Sequence, residues 1–132
     1  MTMKSKVYEF DPVIYPVKIW VSITCYLRPI SEQFVGYPDF TPLNPIFEEK
    51  MERFAQMVVE KETGVFGVLL VFRSKKVMTA GKIAHEATHA ARKIWDHISE
   101  ENTGTEADAY LVEWITKCAD DVRKNKSTHI LK

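Results

Sequence analysis

The chain has 132 residues, 18 Lys and Arg against 18 Asp and Glu, and a hydrophobic share of 45%. That length suits one domain with its own core, and a net charge of zero leaves no basic surplus for gripping a phosphate backbone. Nor does any excess of one charge sign, or any shortage of aromatics, mark a disordered chain.

Met1–Phe10 is polar and lacks the apolar run of a signal peptide. Val7–Tyr15 is expected as an edge strand or extended arm, because Pro12 and Pro16 each remove a ladder donor. Val17–Tyr26 alternates with period two: Val17, Ile19, Val21 and Ile23 face one way and Trp20 and Ser22 the other, which predicts a strand with one buried face. Four of the six prolines fall within Arg28–Pro45. Their ring constraints break regular elements, so this segment reads as a long loop, either a lid or a strap across one sheet face.

Phe47, Met51, Phe54, Ala55 and Val58 have helical spacing, but Met57-Val58-Val59 before Glu62-Thr63-Gly64 reads as a strand entering a turn. With the apolar run Val65–Phe72 after it, the segment predicts a hairpin from about Phe54 to Phe72. Thr79 is placed to cap a helix over Ala80–Ile98, with Ile83, Ala87, Ala90, Ala91, Ile94 and Ile98 on its apolar face. Asn102-Thr103-Gly104 interrupts it. Thr105 then starts a second helix, Glu106 to about Arg123, striped by Ala107, Leu111, Ile115, Cys118 and Val122. Lys124–Lys132 reads as a polar tail.

These elements predict one α+β domain over 1–132. A small antiparallel or mixed sheet from residues 1–75, including the proline-rich loop 28–45, packs on two helices over 79–98 and 105–123. The apolar runs Val13–Leu27 and Val65–Phe72 are interrupted or too short to span a bilayer. Cys25 and Cys118 have no CxxC partner and form no disulfide framework; they read as free buried thiols, which favours the cytoplasm. The three tryptophans, Trp20, Trp95 and Trp114, read as core.

The first long helix carries His85-Glu86-Ala87-Thr88-His89. Histidines at i and i+4 leave one helical face a turn apart, so both imidazoles can reach one tetrahedral ion. Glu86 stands beside them, where a carboxylate can take a proton from water without ligating. The bland counterpart is two surface histidines and a solvated glutamate. A catalytic zinc takes three protein ligands, and the extended pattern fails, since Arg92 and Trp95 occupy its glycine and third-histidine positions. An acidic residue of the second helix is then expected as third ligand: Glu106, Asp108 or Glu113, with Asp108 alternatively orienting an imidazole. Tyr110 and His97 are candidates by position for a second oxyanion donor, although His97 also reads as a partly exposed helix-end residue. Asp96 is expected in solvent.

HEATH followed by a glutamate on the next helix resembles the gluzincin branch of zinc metallopeptidases. More closely, MTAGKIAHEATHAARKIWDHISEENTGTEADAYLVEWI, with FDPVIYP and GVLLVFRSKK, is similar to a family of small phage-encoded zincin-like proteins. The resemblance implies a two-helix zincin-like unit holding Zn2+ through His85, His89 and Glu106, with Glu86 as general base. The resemblance does not supply a substrate. With the balanced charge, the short apolar runs and the free thiols, the expectation is a small zinc-dependent hydrolase acting on a peptide or protein in the cytoplasm (the host's if phage-encoded), without nucleic-acid or membrane partners. An extended peptide would then lie beside Val65–Phe72. The alternative is a binding or regulatory protein on the same scaffold, its metal structural or vestigial; an interaction protein without metal is a third.

Overall fold

The computed structural model describes residues 7–12, 17–37, 40–43, 52–98, 106–124 and 130–131. Its elements in chain order are β1 (Val7–Phe10), β2 (Lys18–Ile23), the short helix α1 (Arg28–Ser31), β3 (Phe34–Gly36), β4 (Arg53–Glu60), β5 (Phe66–Phe72), a 3-10 turn (Lys75–Val77), α2 (Ala80–His97), α3 (Glu106–Arg123) and β6 (Ile130–Leu131). The strands form one mixed sheet in the order β3-β4-β5-β2-β1-β6. All neighbours are antiparallel except β2 and β5, which pair in parallel with Lys18 opposite Gly67 and Ile23 opposite Phe72. The fold is α+β.

The β4–β5 hairpin forms where alternation and the Gly64 turn predict it, and strand geometry prevails over the competing helical spacing. Gly64 adopts φ 73°, a left-handed conformation that glycine takes without steric cost. At Gly67, by contrast, bare backbone is needed for space: a Cβ there would stand 2.4 Å from the Lys18 carbonyl oxygen and 2.5 Å from the Trp20 ring. The parallel β2–β5 contact therefore requires glycine at this point.

Both sheet faces are covered. On one, Ile19, Val21, Val68, Leu70, Phe72 and Met57 pack against Ile83, Ala87, Ala90, Ala91 and Ile94 of α2 and Leu111, Ile115, Ala119 and Val122 of α3. On the other, Trp20, Leu69, Val71, Phe54 and Val58 pack against Leu27, Ile30, Phe34 and Leu43. Two expectations change as a result. β2 is buried on both faces, since Trp20 and Ser22 are fully enclosed beneath the 27–43 segment. That proline-rich segment is not irregular throughout: it carries α1, with Pro29 in its first turn, and β3, paired to β4.

β1 is not an edge strand, because it pairs with β2 and also with β6. Ile130–Leu131, expected within a polar tail, supplies that extra strand. α2 begins at the expected cap, where the Thr79 hydroxyl accepts from the Lys82 backbone N–H at 3.3 Å. It ends at His97. α3 spans the expected residues; the expectations for Val13–Tyr15, Phe47, Met51, the 102–104 break and the Thr105 cap lie outside the described residues. Cys118 is a buried free thiol, but Cys25 is exposed, its Sγ donating to the Arg73 carbonyl oxygen at 3.6 Å. Among the described residues no helix is long and apolar enough to cross a membrane.

A candidate metal centre beside the β4 edge

His85 and His89 project from α2 into an open cleft of about 790 Å3. Its walls come from three places: Lys93, Glu86 and the two histidines on α2, residues 52–56 at the start of β4, and Pro42 of the proline-rich segment. The histidine Nε2 atoms are 3.2 Å apart, with the rings inclined at 75°. Two nitrogens each about 2.05 Å from a tetrahedral ion stand about 3.3 Å apart, so the pair fits chelation of one ion. The same separation lets one ring donate an N–H to the other. Among the described residues no three His, Cys, Asp or Glu side chains are grouped so as to hold an ion.

Glu86 is buried, only 5% exposed, and its Oε2 accepts from Arg53 Nε at 2.9 Å. Arg53 NH1 reaches Glu52 Oε1 at 2.6 Å, and Lys82 Nζ meets the same oxygen at 2.8 Å. Lys82, beside this bonded oxygen, holds the Glu52 carboxyl below its ordinary value. The chain Lys82–Glu52–Arg53–Glu86 thus ties the first turns of α2 to the start of β4. Ion pairing explains how a carboxylate can sit on the inward side of an amphipathic helix. The solvated-glutamate reading is thereby corrected.

Among the described residues, the backbone at the start of β4 is paired on one side only. Residues 52, 54, 56, 58 and 60 direct their hydrogen-bonding groups to β5, as the Arg73 N–H to Glu52 carbonyl and Glu60 N–H to Val65 carbonyl bonds at the two ends fix. Odd residues therefore point the other way: Met57 accepts from the Tyr37 N–H at 3.0 Å and Val59 pairs with Val35. Arg53 and Ala55 have no such partner among the described residues. β5 lies between β4 and β2, so an extended peptide cannot pair with Val65–Phe72 as expected; among the described residues the stretch without a second neighbouring strand is Arg53–Ala55 of β4, which β3 does not reach.

The second helix delivers less to this place. Asp108 Oδ1 accepts from Trp95 Nε1 at 2.9 Å, about 9 Å along α2 from His89 and about 120° around it. It therefore orients no imidazole. Glu113 and Tyr110 are exposed on α3, Tyr110 at 65%, and neither lines the cleft. Glu106 starts α3, and its side chain lies outside the described residues. His97 is half-buried, its ring stacked against Tyr37 at 5.4 Å and Phe66 at 5.1 Å. Asp96 is exposed, Trp20 and Trp95 are buried, and Trp114 packs half-buried on the core.

Sequence reasoning missed Arg53, Glu52 and Lys93. Lys93 was visible as the next i+4 position after His85 and His89, while nothing in the local pattern connects Arg53 to Glu86, 33 residues away. No family model, curated protein or solved structure matches the chain.

Proposed function

We propose that the protein is a small zinc-dependent peptidase, with His85 and His89 as two ligands of the ion and Glu86 as general base. The observation that carries this reading is the 3.2 Å separation of the two Nε2 atoms at the mouth of a cleft walled by the start of β4, where Arg53 and Ala55 have no backbone partner on the cleft side among the described residues. A bound divalent ion would supply Lewis acidity and a water that ionises near neutral pH. Arg53 Nε holds Glu86 Oε2, which leaves Oε1 as the oxygen that takes the proton and passes it to the leaving amine. Ala55, with its N–H and C=O turned to the cleft, pairs with the backbone of an extended substrate. Glu106 enters as third ligand on the EADAY resemblance to small phage-encoded zincin-like proteins, because Glu52, Glu86 and Asp108 are already engaged. The free thiols fit a reducing cytoplasm, the host's if the chain is phage-encoded.

One observation favours a second reading. The Glu86–Arg53 pair serves the packing of α2 on β4 whether or not water is activated, as it would in a binding or regulatory protein that keeps the scaffold without the chemistry. Elemental analysis and a peptide-cleavage assay separate the two. The peptidase carries about one zinc per chain, lost in His85→Ala and in His89→Ala. Glu86→Gln keeps the zinc and abolishes cleavage of a peptide pool. Zinc with no cleavage by the wild type establishes the second reading, and absence of zinc from the zinc-reconstituted wild type overturns the metal site. Glu106→Ala should release the ion without lowering helix content.

A further inference from the structure

The charges lining the cleft balance in number but do not pair one to one. Its acids are Glu52 and Glu86 and its fixed cations Arg53 and Lys93. Arg53 bridges both acids, and Lys82 adds a second cation on Glu52. Those four groups sum to zero, which leaves Lys93 as the unpaired charge of the cleft among the described residues. Among the described residues it has no ion-pair partner.

Lys93 also has a defined place relative to the histidines. It follows His89 by four residues, so His85, His89 and Lys93 form a stripe with one-turn steps of about 6 Å. α2 and β4 run in the same direction, since Glu86 meets Arg53 at one end while His97 stacks on Tyr37, bonded to Met57, at the other. Lys93 therefore lies on the Met57 side of the histidine pair. An extended chain advances about 3.3–3.6 Å per residue, so a group held by Lys93, about 6 Å along α2 from His89 and about 9 Å from the middle of the pair, belongs to a residue two or three positions from the one at His85 and His89.

We infer that Lys93 selects substrates bearing a carboxylate two or three residues from the reacting carbonyl. This rests on the peptidase reading and names the substrate class for the same cleft. Two sources supply such a carboxylate. A peptide running parallel to β4 places its free C-terminus at Lys93, so that the site trims short ends. One running antiparallel places there an Asp or Glu side chain on the acyl side of the bond.

Fluorescently labelled tetrapeptide pools test this by equilibrium binding, in Glu86→Gln protein loaded with zinc and in wild type without added metal. One pool has neutral side chains and a free C-terminus, a second neutral side chains and an amidated C-terminus, and a third one aspartate and an amidated C-terminus. The expected result is that the first or the third binds about tenfold tighter than the second, the effect of one partly screened charge-assisted contact. Whichever it is identifies the source. Lys93→Ala should remove the preference and Lys93→Glu reverse it, with unchanged melting temperatures, since the side chain is half-exposed. Equal binding of charged and neutral pools, including no binding of any, overturns the inference, as does a preference that survives Lys93→Ala. Zinc stoichiometry is read separately, so failure of the metal site is distinguishable from failure at Lys93.

Discussion

Removing the Arg53 guanidinium should be among the more damaging single changes outside the apolar core. In Arg53→Ala the Glu86 carboxylate, with 7% of its side chain exposed, loses its nearest cation and a 2.9 Å charge-assisted bond. Breaking a fully buried pair from one side costs about 3–5 kcal/mol. Arg53 keeps 21% of its side chain in solvent and the pair borders an open cleft, so water recovers part of that penalty. The expected cost is therefore about 2–3 kcal/mol, or about 10 °C in melting temperature for a chain of this size. Glu86→Gln should cost less, about 1 kcal/mol, because Arg53 keeps Glu52 and the amide keeps its shape. Urea unfolding of the wild type, both single variants and the double variant gives the coupling energy, expected at about 1.5 kcal/mol or more. A loss below 0.5 kcal/mol in Arg53→Ala, or a coupling near zero, would show that Glu86 does not depend on this pair and would refute the account of how it is buried.

Three further outcomes follow from single sites. Gly67→Ala should destabilise by about 3 kcal/mol or more, or prevent soluble expression, because the added methyl meets backbone and the enclosed Trp20 ring; a soluble variant melting within a few degrees of wild type would contradict the β2–β5 register. Thr79→Ala should cost about 1 kcal/mol in urea unfolding through loss of the α2 cap. Burial pushes the Cys118 thiol up to about 12, so iodoacetamide at pH 8 should label the exposed Cys25 in the native protein and reach Cys118 only on unfolding, as read by peptide mass spectrometry. The sign for stability follows. Between about 9 and about 12 the unfolded chain has released this proton and the folded one has not, so stability falls with rising pH by up to about 1.4 kcal/mol per unit. The fall should be shallower in Cys118→Ala.

Periodicity and punctuation carried most of the fold. The hairpin, the Thr79 cap and both long helices are local signals, and each is written within a dozen or so residues. Strand order was not legible, because pairing β2 with β5 joins residues about 49 apart through contacts whose sequence trace, the glycine at 67, is ambiguous alone. For the same reason β2 could be seen alternating but not seen to be covered on both faces. At the site, the i, i+4 spacing predicted two imidazoles on one face, and the helix delivers them. The burial of Glu86 was invisible: it depends on Arg53 from another element. Asp108 shows the converse. Its helix was predictable, while its use by the Trp95 indole depends on how α2 and α3 pack.

A chain with both long helices and most of its strands committed to two core clusters has little left for the far side of a cleft. Pro42, opposite the histidines, comes from the proline-rich segment, and its position is fixed by neighbours rather than by a regular element. Leu43 is buried in the core cluster on the other sheet face, and the Gly36 N–H donates to the Thr41 carbonyl at 2.7 Å. Just before Thr41, Phe40 adopts φ 56°, uncommon for a bulky residue, and leaves its ring 61% exposed. Pro42 is therefore anchored on both sides, by the Thr41 carbonyl and the Leu43 side chain. A wall held this way borders the cleft at a fixed place beside Arg53 and Ala55. The proline-rich stretch is in this sense neither a free lid nor only a strap: its apolar residues close one sheet face, and Pro42 borders the cleft that His85 and His89 line.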